Sequence, residues 1–279
     1  MAAVAVARGS SFMFSKQLLG SMEPLNLLGI RFLLAFFILM LFFGRRVVES
    51  VREEPETLTA GALIGFAYYV VMALELNGLK YTTTATASFI ENSAVVLVPV
   101  AEALLLKRLP SRITVICSVI TLAGVGLIAA GGFGMGIGKG EIICIIVALV
   151  YTGAIIMTDR MAKAYDAFSV GIIYVGVMGA LGAVSSAVVE TPHLPQSGNE
   201  WLMLMMLVLV CSCFGFTMQS VAQEKISSET TGLMTAINPL AAAVLGTVFL
   251  KERMGFAAII GAILIISGIL IDSRNVKDS

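Results

Sequence analysis

TTTATASFIENSAVVLVPVAEALLL, residues Thr82 to Leu106, decides what kind of protein this is. At ~1.5 Å of rise per residue the run is long enough to cross a bilayer, and it is mostly apolar. Yet Glu91 and Asn92 sit inside it. A carboxyl group at mid-helix costs roughly 2.5–3.5 kcal/mol to insert, so such a side chain faces a protein interior or a wet cavity, not lipid. Glu91 falls ~14 Å from the Thr82 end, near the middle of a ~30 Å hydrocarbon core. Thr84, Ser88 and Glu91 recur at i, i+4 and i+7, a polar stripe with Asn92 beside it. Pro99 removes a backbone donor eight residues after Glu91, so a bend or pivot is expected in this helix.

The rest of the chain is of the same kind. Of 279 residues 58% are hydrophobic and 13% charged, with a mean hydropathy of +0.96, far from the composition of a soluble domain. Ten apolar runs can be marked, at 1–20, 24–44, 58–79, 82–106, 113–132, 141–159, 168–189, 201–222, 229–250 and 255–272. They use up nearly all the length, which leaves no room for a nucleic-acid-binding module or a peripheral enzyme domain. The first run contains Arg8 and Lys16 and lacks a basic leader, so it reads as a true span and not a signal peptide. The class expected is an all-α membrane protein of ten transmembrane helices.

Net charge is zero, so orientation rests on where Lys and Arg fall between the runs. With the N-terminus inside, eleven lie on the cytoplasmic side and five outside, which favours both termini in the cytoplasm of a multi-pass cell-membrane protein, plasma or inner. The four cysteines, Cys117, Cys144, Cys211 and Cys213, all lie within runs and offer no disulfide framework in a loop. Cys211 and Cys213 point to different sides of a helix, so neither a metal pair nor any cofactor is expected. The loop from Gly131 to Gly140 is glycine-rich, but Phe133 and Gly140 break the Walker pattern and Lys139 breaks the dinucleotide pattern, leaving a flexible linker. His193, the single histidine, lies between Pro192 and Pro195 in an outer loop and reads as surface.

Adding 144 to a residue number carries the first half onto the second without a gap. Gly9 meets Gly153, Met13 meets Met157, Leu106-Lys107 meets Leu250-Lys251, and Gly124 meets Gly268. Each unit holds five runs, an odd number, so the second copy enters the membrane in the opposite sense. That is an inverted repeat, the design that lets one central site face either side of a membrane. The expected units are 1–132 and 140–274, with a linker over 133–139 and a tail over 275–279.

The repeat also matches polar positions. Gln219 is the image of Glu75, Ser212 of Tyr68, and Thr235 of Glu91; Thr231, Thr235 and Asn238 share a face, followed by Pro239. The ionisable groups are confined to the first half, which points to an asymmetric ligand. Glu91, Asn92, Ser88, Tyr68, Gln219, Thr235 and Asn238 are the candidate substrate-binding residues, with Pro99 and Pro239 as hinges. Arg8, Lys16, Arg31 and Glu75 form a candidate network of buried charge. Blander alternatives stand beside these: Glu91 paired with Arg31 or Lys16, Glu91 as a neutral acid bonded to Asn92, Glu75 and Arg31 neutralising each other, and the asparagines as interhelical glue.

Gly232-Leu233-Met234-Thr235-Ala236-Ile237-Asn238-Pro239-Leu240, continuing to Leu250-Lys251-Glu252-Arg253, resembles the signature of EamA-type members of the drug/metabolite transporter superfamily. Ala87 to Arg108, Arg8-Gly9-Ser10-Ser11-Phe12 and Arg31-Phe32 resemble it too. The chain departs from the pattern where the family's proline would fall at Val95 and where Arg108 replaces a glutamate. The resemblance implies ten helices around a central cavity and transport of small metabolites, frequently as export.

Together these readings predict a secondary active transporter that moves a small polar metabolite, an amino acid or similar, by alternating access as an exporter. Its partners would be that small molecule, the lipid bilayer and a coupling proton at Glu91, and not nucleic acid. A non-transporting scaffold or a small-molecule channel is the alternative. No reactive constellation of the kind an enzyme needs stands out.

Overall fold

The computed structural model describes residues 1–82, 84–107, 111–129, 138–241 and 256–278, and every regular element among them is helical. The first half holds α1 (Ala2–Leu18), α2 (Pro24–Glu53), α3 (Glu56–Tyr81), α4 (Thr84–Asn92), α5 (Ala94–Leu106) and α6 (Arg112–Ala129). The second holds α7 (Lys139–Ala164), α8 (Ala167–Val189), α9 (Gly198–Met206), a π-helical segment (Leu207–Phe216), α10 (Thr217–Gln223), α11 (Ser228–Thr235) and α12 (Phe256–Asp278). Residues 237–241 are again helical. Most of the glycine-rich linker and the Leu250–Arg253 signature lie outside the described residues.

Local chemistry sets the boundaries. α2 starts at Pro24, whose fixed φ suits a first helical turn. Asp166 caps α8 by accepting from the Ser169 amide at 3.3 Å, and Ser197 with Glu200 forms a reciprocal capping box at α9.

Among the described residues, six helical stretches are long and apolar enough to cross a membrane: Pro24–Glu53, Glu56–Tyr81, Thr86–Leu105, Lys139–Ala164, Ala167–Val189 and Gly198–Gln223. Shorter apolar helices cover Arg112–Leu127 and Ile259–Asp272. Large apolar side chains point outward, Leu41 at 79% exposure and Val188 at 81%, while arginine and glutamate are buried within. That inversion of the soluble pattern is what lipid as solvent demands. This is a multi-pass membrane protein.

Three apolar runs differ from the sequence reading. The second run, marked as 24–44, continues through a mixed-charge stretch, and α2 ends at Glu53. Its charges recur at helical spacing, with Arg45 and Glu49 4.0 Å apart, and Arg46 reaches Asp166 at 2.8 Å. The 82–106 run is not one helix but two, broken at Ser93, while Pro99 sits inside α5. At the break the Ser93 amide is shared between the carbonyls of Phe89 and Ile90, both at 3.1 Å, and the Ser93 hydroxyl donates to Ile90 O at 2.6 Å. A hydroxyl bonding back into the ladder loosens a helix, and Pro99 has no amide to give the next turn. The third departure is the ninth run, which breaks at Ala236. Thr235 Oγ1 donates to Gly232 O at 2.6 Å, and Pro239 has no amide to offer the Thr235 carbonyl.

The halves interleave. α2 packs on α8, α3 on α7 and α8, α5 on α11, α6 on α12, and α1 on the π-helical segment. Glycines allow these contacts: a Cβ on Gly179 would sit 2.7 Å from the Phe32 carbonyl carbon, and one on Gly124 2.6 Å from Gly261 O. The centre this leaves between α1, α3, α4, α7 and the π-helical segment is where the buried polar side chains converge.

Candidate functional site

Arg8 on α1 is the hub. Its Nη1 donates to Tyr151 OH at 2.9 Å and to Gln219 Oε1, and its guanidinium lies 4.5 Å from the Phe216 ring centre, 5.1 Å from Tyr151 and 5.7 Å from Tyr68. Aromatic faces attract a cation that has lost its water, so Arg8 is held charged without a carboxylate. Gln219 Nε2 in turn donates to Tyr68 OH at 2.5 Å and to Gln223 Oε1 at 3.2 Å, and Gln223 Nε2 to Ile155 O at 3.0 Å. Tyr68 stacks on Tyr174 with ring centres 5.4 Å apart, and Tyr174 OH donates to Phe216 O. That carbonyl ends the π-helical segment, where the ladder is widened and an oxygen can serve a side chain.

Arg31 on α2 is placed differently. Nε donates to Ser212 Oγ at 2.7 Å, and the guanidinium stacks 4.8 Å from Phe32 and 5.7 Å from Phe216. Nη1 and Nη2 are buried and have no hydrogen-bond partner among the described residues. The side chain is 1% exposed. A guanidinium with one of its five N–H groups used is poised for an acceptor.

Glu75 on α3 and Glu91 on α4 are both buried, 4% and 2% exposed. Glu91 Oε2 is buried and meets no hydrogen-bond partner among the described residues. Asn92 Nδ2 turns back to Ser88 O at 2.6 Å, leaving Asn92 Oδ1 unpartnered; Asn238 Oδ1 is unpartnered as well. Each broken helix therefore carries a buried amide oxygen beside its break.

The structure thus gathers Arg8, Tyr68 and Gln219 directly, and buries Glu75 and Glu91. Arg31 touches the group through Phe216 and Ser212. Lys16 does not join it: its ammonium donates to the carbonyls of Leu79 and Thr82, at 3.0 Å for Thr82, and so caps the end of α3. Neither Glu91 with Arg31 or Lys16, nor Glu75 with Arg31, forms an ion pair among the described residues. Arg8 turns to neutral oxygens and rings instead, and Arg31 to the Ser212 hydroxyl and two rings. Ser88, Thr235 and Thr231 are buried on the faces expected, with Thr235 spending its hydroxyl on its own helix.

Tyr151, Tyr174, Phe216 and Gln223 complete the site and were not legible as such. Tyr151 is the image of Ala7, so the repeat gave no polar partner to point at it. Phe216 gains its place from the π-helical widening, which has no marker in the sequence beyond small and polar residues such as Ser212 and Gly215.

Such a buried, mixed-charge centre between interleaved helix bundles defines a membrane transport protein. Comparison with known proteins makes the class specific: the EamA-like transporter family model matches twice, over residues 1–130 and 138–273. The chain belongs to the EamA-like transporter family. An uncharacterized transporter of Archaeoglobus fulgidus is 26% identical over 272 residues, covering 93% of this chain and 91% of that protein. The uncharacterized transporter YetK of Bacillus subtilis is 23% identical over 282 residues, 97% and 84% of the two chains. A solved chain described as "Crystal structure of protein" shares the fold, with a TM-score of 0.78 at 19% identity over 99% of this chain and 98% of its own.

Proposed function

We propose that this transporter is a secondary carrier that exports a small polar metabolite, an amino acid or similar, across the plasma or inner membrane by alternating access. Its ten helices form two five-helix units of opposite orientation, 1–132 and 140–274, joined by the linker 133–139 and followed by a short tail, with both termini cytoplasmic. Substrate binds between Glu91, Asn92 and Ser88 of one half and Gln219, Thr235 and Asn238 of the other, against Tyr68. A proton on Glu91 couples the cycle.

The observation that supports this reading most is the pair of broken helices. α4 gives way to α5 at Ser93, and α11 to residues 237–241 at Ala236, each near a buried asparagine whose amide oxygen has no partner among the described residues. Interrupted helices at mid-depth supply unpaired backbone and side-chain groups for a ligand, and they bend at low cost when the halves rock. The hinge role assigned to Pro99 and Pro239 is taken with the serine and threonine that bond back beside each break.

Purified protein in liposomes, offered a panel of radiolabelled amino acids at several internal and external pH values, tests this. The reading predicts saturable flux driven by a proton gradient, with Glu91→Gln flattening the pH dependence. Unchanged rate and unchanged pH dependence in that variant would remove Glu91 from the mechanism. Single-channel currents would favour the channel alternative, because ion throughput at that level is beyond a carrier.

A further inference from the structure

Away from the buried centre, α5 and α7 part to leave an open groove of about 630 Å³. Thr82, just ahead of α4, donates to Glu141 in the first turn of α7, and both α4 and α5 pack on α7, so α5 runs beside α7 in the same direction. Leu97, Val100 and Leu104 line the α5 side of the groove, and Leu149, Gly153 and Ile156 the α7 side. A Cβ on Gly153 would meet nothing within 4 Å, which leaves the α7 wall recessed there.

Along its length the groove asks for no polar ligand. The Thr152 hydroxyl is already given to Ala148 O at 2.8 Å, and no buried donor or acceptor on either wall lacks a partner among the described residues. Such a space takes hydrocarbon, because a polar solute would lose its water there for nothing in return. The end where both helices finish is different. Arg160 lines the groove one turn before α7 stops, and Lys107 terminates α5. Both side chains are exposed, and neither has an acidic partner among the described residues. Neighbouring acids are already engaged: Asp159 holds Lys163 at 2.7 Å, and Glu102 accepts from Ser228 Oγ on α11. From Leu149 to Arg160 a helix rises ~17 Å, close to the ~15 Å of hydrocarbon in one leaflet.

We propose that this groove binds an anionic phospholipid, with one acyl chain lying between α5 and α7 beside Gly153 and the phosphate resting on Arg160 and Lys107. Basic pockets between transmembrane helices at a membrane edge capture such headgroups. A second apolar groove, about 660 Å³ between α1 and the π-helical segment, carries Gln17 and Asn199 but no charged residue, so it has no means of telling an anionic lipid from a zwitterionic one. The site stands apart from Arg8 and its partners and does not depend on what the carrier moves.

Protein purified in a non-ionic detergent and stripped of lipid tests this by thermal unfolding, with phosphatidylglycerol and phosphatidylcholine of identical chains added to the micelles. A ligand that binds only the folded form raises the melting temperature. Phosphatidylglycerol is expected to bind at one per chain and about 25-fold more tightly than phosphatidylcholine, the factor that two cations confer at an anionic surface. Arg160→Gln should cut that preference to about fivefold, and adding Lys107→Gln should erase it. Arg52→Gln, which removes an exposed cation in the last turn of α2, should leave it intact. Gly153→Leu fills the groove while keeping both cations and should abolish the bound lipid; Leu104→Trp, on the exposed wall, does the same job if that variant does not fold. Equal binding of the two lipids, a preference that survives loss of both cations, or an equal loss in Arg52→Gln would each overturn the proposal. So would lipid binding unchanged by either groove-filling variant, or inorganic phosphate stabilising as well as the lipid, which would leave an anion site with no place for a chain.

Discussion

Gly9 and Gly153 stand one repeat apart, yet they live in opposite surroundings. A Cβ on Gly9 would collide with the backbone of Asn238, 2.8 Å from its Cα, so α1 lies directly on the broken segment of the second half. A Cβ on Gly153 would meet nothing within 4 Å. It lines a groove of about 630 Å³ between α5 and α7, with Val100, Leu104 and Ile156 on its walls and Arg160 among its residues. Their neighbours in sequence differ in the same way. Arg8 has Thr152 as its image, Glu75 has Gln219, and Glu91 has Thr235. Arg8, Glu75 and Glu91 belong to the first unit, and so does the tight seat of its first helix. One unit brings Arg8, Glu75 and Glu91 to the centre; the other brings Gln219 and Thr235, with a groove beside its Gly153.

The sharpest way to break this comparison is to remove Arg8 and its image in turn. Arg8→Ala strands Tyr151 and Gln219 in a buried site and leaves the glutamates with one cation fewer, and hydrogen bonds to a charged group are worth roughly 1.5–3 kcal/mol each. Flux in liposomes is expected to fall at least a hundredfold. Thr152→Ala loses a hydroxyl bonded to Ala148 O of its own helix, at 2.8 Å, and is expected to stay near the parent rate. Equal losses in the two variants would show that the halves share the work.

Next in size is the glycine pair. Gly9→Ala overpacks a backbone contact that cannot yield, which typically costs about 1–3 kcal/mol, and thermal unfolding in detergent should register a clear drop. Gly153→Ala adds a methyl group to open space in a helix and should raise stability by about 0.5–1 kcal/mol. Opposite signs are the prediction. The same sign for both would erase the asymmetry.

How much of this was legible in the sequence follows from the kind of signal each part leaves. Apolar runs mark helices strongly, because lipid tolerates no other backbone arrangement, and the boundaries at Pro24, Asp166 and Ser197 carry their own caps. Buried charge was equally plain: Arg8, Arg31, Glu75 and Glu91 stand out in apolar surroundings and the structure buries all four. Partner choice was hidden. Charge counting suggested ion pairs, but the arginines turned to aromatic faces and neutral oxygens, contacts that depend on where Phe216 and Tyr151 arrive from the other half. The breaks were visible as helix-weakening prolines, while their positions depend on hydroxyls bonding backwards at Ser93 and Thr235, a choice the proline alone does not make.

The smallest effect lies at the membrane edge. Asp166, between α7 and α8, is partly buried, which opposes its ionisation, but the Arg46 guanidinium at 2.8 Å and Ser169 outweigh that and hold its carboxyl below the usual range. A carboxylate lowered in the folded state stabilises at pH above its ordinary value near 3.8, and that contribution is lost as pH falls through the lowered one. Asp166→Asn keeps the helix cap and removes the pair. The expected loss is about 0.2–1 kcal/mol near neutral pH, discounted because Arg46 is largely exposed, and it should vanish in acid.

Everything said of paired residues rests on the two halves being threaded through the membrane in opposite senses. Sidedness of labelling in intact cells addresses that directly, with one reporter at the linker position Lys139 and one at the C-terminus. The account predicts that a membrane-impermeant reagent reaches Lys139 from outside while the C-terminal reporter stays protected until the cells are opened. Both reporters on the same side would contradict it.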